Sequence, residues 1–150
     1  METTNRIMLT TIGAALGLFL ATSSGLLASS HEKSAASNLK SSEWLAVHID
    51  GSNAAHDANS TIRFREAGKI GGNSGCHGYT ANISLDGNKI SFSEITETKN
   101  LCSPREEKAT LSFLTSFEKT TTFSINSDVL RFTDDGGNEL IEFRRLGMEF

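Results

Sequence analysis

Residues 71–79 read GGNSGCHGY. A thiol and an imidazole stand side by side there, among glycines. Such groups serve nucleophilic catalysis, metal binding or a disulfide, and each use needs more than adjacency. A cysteine nucleophile needs a base beside it and a third group that orients the base. Neighbouring side chains on a strand point to opposite faces, so His77 is poorly placed to activate Cys76. A zinc site needs three or four ligands at recognisable spacing. Cys76, His77 and Cys102 match neither CxxC nor HxxxH. His77 therefore reads as a solvated loop imidazole, and no metal or other cofactor is expected. The spaced glycines run 72, 75, 78, which is not GxGxxG, and no GK[ST] follows, so a phosphate cradle is excluded. A GxSxG elbow fails too, because Cys76 stands two after Ser74 where glycine is needed. Asp134-Asp135 before Gly136-Gly137 lack the other oxygen ligands of a calcium loop and read as a hairpin turn.

The N-terminus changes how the cysteines are read. Arg6 ends a short polar stretch, Ile7 to Leu20 carry no charge, and ATSSGLLASS follows. These are the three parts of a secretory signal peptide, expected over residues 1–30, with cleavage after Ser30 and with Ala28 and Ala36 as alternative cleavage positions. No cysteine lies near the cleavage region, which excludes a lipoprotein anchor. The exported chain is expected to be periplasmic or secreted, free or associated with the outer membrane, with no membrane span once the leader is removed. Cys76 and Cys102 are the two cysteines of the chain. In an oxidising compartment they are expected to pair. The loop so closed holds about 27 residues, worth roughly 3–4 kcal/mol in chain entropy.

These groups need elements to position them. A chain of 150 residues is enough for one domain with one core. Its net charge of -4 and scattered arginines and lysines exclude a basic face for nucleic acid. Residues 31–42, HEKSAASNLKSS, read as a flexible lead-in, with order beginning at Trp44. In WLAVHI, Trp44, Ala46 and His48 share one face, and Leu45, Val47 and Ile49 the other. GSNAAHDANS (51–60) reads as a loop. TIRFRE, YTANISL and KISFS alternate as strands, with Ile62, Phe64, Ile90 and Phe92 inward and Asp86-Gly87-Asn88 as a hairpin signal.

The period then changes. Ser103 can cap a helix, Pro104 suits its first position, and Glu106 completes a capping box. Ala109, Phe113 and Phe117 follow at spacing four, flanked by Thr110 and Leu114, which predicts a helix over about 104–119. Strands resume at TFSI (122–125), VLRFT (129–133) and ELIEFRRL (139–146), the last with Ile141 and Phe143 inward. The sum is a single α+β domain over 43–146, with a four-residue tail at 147–150. It would hold about seven or eight short strands in a strongly curved antiparallel sheet or incomplete barrel, with one helix covering a side or mouth.

Trp44 with its strand, TIRFREAGKIGGNSGCHGYTANISLDGNKISFSEITETKNLCSP, the helix and LRFTDDGGNELIEF together resemble the META domain (HslJ-like heat-shock protein) family over about residues 43–146. The most specific blocks are Gly75-Cys76-His77-Gly78-Tyr79 and Thr98-Lys99-Asn100-Leu101-Cys102. The family usually has Asn where His77 stands, and often Met-Ala where Asn100-Leu101 stand. The resemblance implies a small α+β domain with a curved sheet and one helix. It also implies bacterial export, a part in heat-shock response or novobiocin-type tolerance, and no catalytic residues to carry over. The expected function is an exported, non-enzymatic domain of the envelope stress response that binds a protein or envelope component. The alternative is a secreted inhibitor or ligand-binding module acting on an envelope enzyme. No nucleic acid partner is expected, and the chain is expected to be a monomer. A binding surface is sought at His77, Asn73, Arg63, Arg65 and Arg131.

Overall fold

Turn residues divide the chain into short strands. Asp50-Gly51 and Ala67-Gly68 take positive φ, as do Gly87 and Ser127 in the two later hairpins. Such backbones reverse a strand with the twist that an antiparallel pair requires. The computed structural model describes residues 37–54 and 59–147. The expected signal peptide, the first part of the expected lead-in, residues 55–58 and the last three residues lie outside that range.

The strands are β1 (Glu43–Ile49), β2 (Ser52–Asn53), β3 (Thr61–Phe64), β4 (Lys69–Asn73), β5 (Gly78–Asp86), β6 (Lys89–Glu97), β7 (Thr122–Asn126), β8 (Val129–Thr133) and β9 (Glu139–Arg145). Helix α1 (Pro104–Lys119) stands between β6 and β7. The sheet order is β2-β1-β3-β4-β5-β6-β7-β8-β9, and β1 also pairs with β9. The sheet therefore closes into a ring of eight strands, with β2 extending the β3 side of β1. All pairs are antiparallel. The expected α+β domain with a strongly curved sheet is present, with nine strands instead of seven or eight. The additional strand, β2, lies in the stretch read as a loop.

An eight-stranded ring is just wide enough for side chains to fill. Ile62, Phe64, Ile70, Tyr79, Ile90, Leu130, Phe132, Ile141 and Phe143 fill it from the strands. The seam between β6 and β7 is the weakest, with Lys89 and Thr122 the sole pair in register there. β5 and β6, by contrast, pair from Tyr79 and Glu97 down to Asp86 and Lys89. Helix α1 stops the ring. Ser103 Oγ accepts from Glu106 N, and the Glu106 carboxylate accepts from Ser103 N at 2.7 Å, so the predicted capping box is formed. The helix buries Thr110, Phe113, Ser116 and Phe117. The Phe117 ring centroid lies 4.6 Å from those of Phe92 and Phe113 and 5.6 Å from that of Tyr79.

Two expectations fail for identifiable reasons. The alternation in β1 changes phase: Trp44, Ala46 and Ile49 are buried while His48 is exposed. A bulge between Ala46 and His48 in the pairing with β9 adds the residue that flips the faces. The lead-in is also tied down from residue 37 onward. Residues 37–39 are helical, Leu39 is buried in the core, and Ser42 Oγ accepts from Trp44 Nε1 at 2.7 Å. Ser42 O also accepts from Phe64 N.

Candidate functional site

Register places the outward residues of four strands in one row. Arg63 stands opposite Gly71, Gly71 opposite Thr80, and Thr80 opposite Thr96. Glu43 on β1 continues the row beyond Arg63. Gly71 supplies no side chain, so the row has a gap. An open trough of about 490 Å³ occupies it, lined among others by Thr61, Arg63, Arg65, Asn73, Thr80, Thr96, Glu97 and Thr98. A Cβ at Gly71 would stand 3.1 Å from Tyr79 O, tighter than ordinary contact, and would just touch the Arg65 guanidinium at 3.6 Å.

The two arginines differ electrically. Arg63 is neutralised by Glu43, with Nη2 and Oε2 at 2.7 Å. The Arg65 guanidinium has no ion-pair or hydrogen-bond partner among the described residues; the residue's backbone N–H donates to Lys69 O in the β3–β4 turn. The trough therefore offers one uncommitted cation among threonine hydroxyls. That combination suits a polar ligand with an anionic group.

One end of the trough is the turn from Asn73 to Gly78. Asn73 Oδ1 accepts from Gly75 N at 2.7 Å, which bends the chain. Ser74 is fully buried, with Oγ 3.1 Å from both His77 O and Glu97 Oε1. Gly75, at φ 132°, lies against α1, where a Cβ would meet Thr110 N at 3.1 Å. Cys76 N donates to Thr110 Oγ1 at 3.2 Å. Cys76 and Cys102 form the expected disulfide, their Cα atoms 6.0 Å apart. The disulfide pins the turn to the start of the helix. Tyr79, just beyond, donates its hydroxyl to Thr61 O at 2.9 Å. Burial pushes its phenol well above the ordinary tyrosine range.

Of the five surface residues singled out by sequence, Arg63, Arg65 and Asn73 line the trough. His77 is not a solvated imidazole: its side chain is 14% exposed and packs beside the disulfide. Its loop folds back onto α1, which no local pattern announces. Arg131 lies elsewhere, on β8, held by Glu139 at 2.9 Å and Glu142 at 2.7 Å. Sequence reasoning missed Thr80, Thr96 and Thr98. Their shared face depends on register across β5 and β6, including the bulge at Glu94 with φ 53°.

The fold defines a class: a small antiparallel barrel, stopped by one helix and stapled to it by a disulfide. The META domain profile matches residues 37–146, and the chain belongs to that family. An NMR structure of a Burkholderia xenovorans protein is similar, with TM-score 0.59 and 19% identity over 73% of this chain and 85% of that one. A DUF4847 family protein from Bacteroides vulgatus, solved by crystallography, matches with TM-score 0.51 and 18% identity over 69% of this chain and 92% of that one. At these identities the likeness shows the fold alone. A comparison with curated proteins finds no match. No helix among the described residues is long and apolar enough to cross a membrane.

Proposed function

We propose that this META domain is an exported, non-enzymatic binding module of the envelope stress response. Its ligand is a polar envelope component or protein segment that brings an anionic group to Arg65. The carrying observation is the trough over Gly71, with a guanidinium free of partners and threonine hydroxyls on the opposite wall. The signal-peptide pattern and the disulfide support an extracytoplasmic site of action. Both thiols are engaged in the disulfide, and a disulfide sulfur is no nucleophile, which supports a binding role.

Amide chemical-shift mapping with soluble muropeptides, and separately with novobiocin, tests this reading. Shifts are expected to cluster at residues 61–65, 71–73, 78–80 and 96–98 and to vanish in Arg65→Ala. A deletion strain is expected to become sensitive to heat or novobiocin and to be rescued by the wild type but not by Arg65→Ala. Shifts confined to other faces, or full rescue by Arg65→Ala, would sink the assignment of the trough.

A second reading has its own observation. Leu101 is wholly exposed on a short loop anchored by Cys102 and by the bond from Asn100 Nδ2 to Cys76 O at 2.8 Å. A rigid loop with an exposed apolar tip is how an inhibitor of an envelope enzyme would present itself. One-to-one capture of a lysozyme or serine protease, lost in Leu101→Asp, is the result that would favour it.

A further inference from the structure

The fold gathers Cys76, His77 and Cys102 into one cluster, with ligand atoms all within 4.8 Å of one another. Sequence spacing hides this, because the first two come from the β4–β5 turn and the third from the segment before α1. Cys102 Sγ stands 3.6 Å from His77 Nδ1 and 3.7 Å from Nε2, so in the disulfide it lies over the ring and must rotate about its χ1 to share a cation with Nδ1. Two ligands on one tetrahedral zinc, with Zn–S about 2.3 Å and Zn–N about 2.0–2.1 Å, also stand about 3.6 Å apart. The imidazole already holds the matching tautomer. Nδ1 accepts from Asn100 N–H at 3.3 Å, so it keeps its lone pair, and Nε2 carries the hydrogen. Glu107 Oε1 lies 3.8 Å from Nε2. A cation at Nδ1 would replace one long hydrogen bond and leave Nε2–H facing a carboxylate. Outer carboxylates orient metal-bound histidines in this way.

We propose that the Cys76–Cys102 disulfide masks a site for one thiophilic divalent cation of the zinc class. On reduction, Cys76, Cys102 and His77 become its ligands, Glu107 orients the imidazole, and a fourth position stays open. The chemistry balances. A dithiol reductant supplies two electrons and two protons to the S–S bond and is itself oxidised to a disulfide. Binding of the cation by the two thiols then releases two protons. The sulfurs need to part only to about 3.8 Å for tetrahedral ligation. Side-chain rotation achieves that with the Cα atoms 6.0 Å apart. None of the four residues lines the trough, so this inference and the binding reading stand or fall separately.

The test uses the purified chain, reduced by a phosphine under argon, freed of reductant, and titrated with Co²⁺ and then Zn²⁺. The reduced chain is expected to bind one equivalent of Co²⁺, with a thiolate charge-transfer band and tetrahedral visible bands that Zn²⁺ abolishes. The oxidised chain is expected to bind none. His77→Ala should weaken binding at least tenfold and alter the visible bands. Glu107→Gln should weaken it about tenfold while keeping them. Absence of cobalt binding by the reduced chain overturns the proposal, as do equal binding by the oxidised chain or unchanged bands and affinity in His77→Ala. If reduction unfolds the chain, Zn²⁺ must restore the native circular dichroism of the wild type and not of His77→Ala. Restoration of neither, or of both alike, overturns it as well.

Discussion

Tyr79 reaches from β5 across the interior to the start of β3. Its hydroxyl bonds to Thr61 O, and its ring meets Phe113 and Phe117 at 5.7 and 5.6 Å. Gly72 makes the crossing feasible: a Cβ there would collide with the same Thr61 carbonyl. Tyr79→Phe keeps the ring and loses one hydrogen bond, so chemical denaturation should show a loss of about 1 kcal/mol. A second signature follows from the raised phenol pKa. Its stabilising contribution is fully present below about pH 10, the unfolded value. Above that, the unfolded chain loses the proton while the buried phenol keeps it, so stability falls as pH rises toward the folded pKa. The wild type should therefore lose stability above pH 10 more steeply than Tyr79→Phe, and parallel profiles would refute the buried-phenol account. Tyr79 as an inward residue was legible from alternation in YTANISL. Its partner was not, because Thr61 lies 18 residues away and nothing local encodes that contact. The Cys76–His77–Cys102 cluster escaped for the same reason. Ligand spacing reports a site only when one element carries its ligands.

The helix was the most legible element, since caps and period are local properties. Ser103, Pro104 and Glu106 predicted a start that the structure reproduces, and the phenylalanines at spacing four are its buried face. β1 was less legible, because a bulge sets its phase and bulges arise from pairing with β9. Phe117 joins the helix to three strands through Tyr79, Phe92 and Phe132. Phe117→Ala should cost about 3–5 kcal/mol, the range for deleting a buried aromatic ring, read from urea unfolding midpoints. The capping box adds a pH dependence. The backbone N–H of Ser103, and then its side chain, hold the Glu106 carboxyl below its usual range. A depressed pKa stabilises the fold above the unfolded value of about 4.3, and that stability is lost as pH falls through the folded pKa. Amide exchange at residues 103–107 is expected to rise with acidification over that window once the intrinsic exchange rate is allowed for. Glu106→Gln, which still accepts a hydrogen bond but does not titrate, should remove the dependence.

Ring closure makes the domain a single cooperative body, yet its strength is uneven around the circumference. On one side β8, β9 and β1 pair along nearly their whole length, from Val129 with Arg144 to Trp44 with Arg145, with one register shift in each ladder. Across the ring, β6 and β7 meet only near Lys89 and Thr122, and the helix reaches β6 through the stacking of Phe117 on Phe92. The disulfide sits on that weaker side. It links the β4–β5 turn to the segment before α1 and closes a loop with a sequence separation of 26. The chain-entropy model values such a cross-link at about 3.5 kcal/mol. Within a total stability of about 5–15 kcal/mol, this is a large share. Reduction should therefore lower global stability by about that amount and should not loosen all parts alike. Contacts around the helix depend on the turn from Asn73 to Gly78, whereas the β8–β9–β1 ladder does not touch the cross-link. Hydrogen exchange of the reduced chain should accelerate first in residues 104–119 and along β6, with β8 and β9 protected until global unfolding. Uniform acceleration would mean that the disulfide acts through the unfolded chain alone. Slower exchange in the helix than in β9 would show that the β6–β7 seam is not the weak side of the barrel.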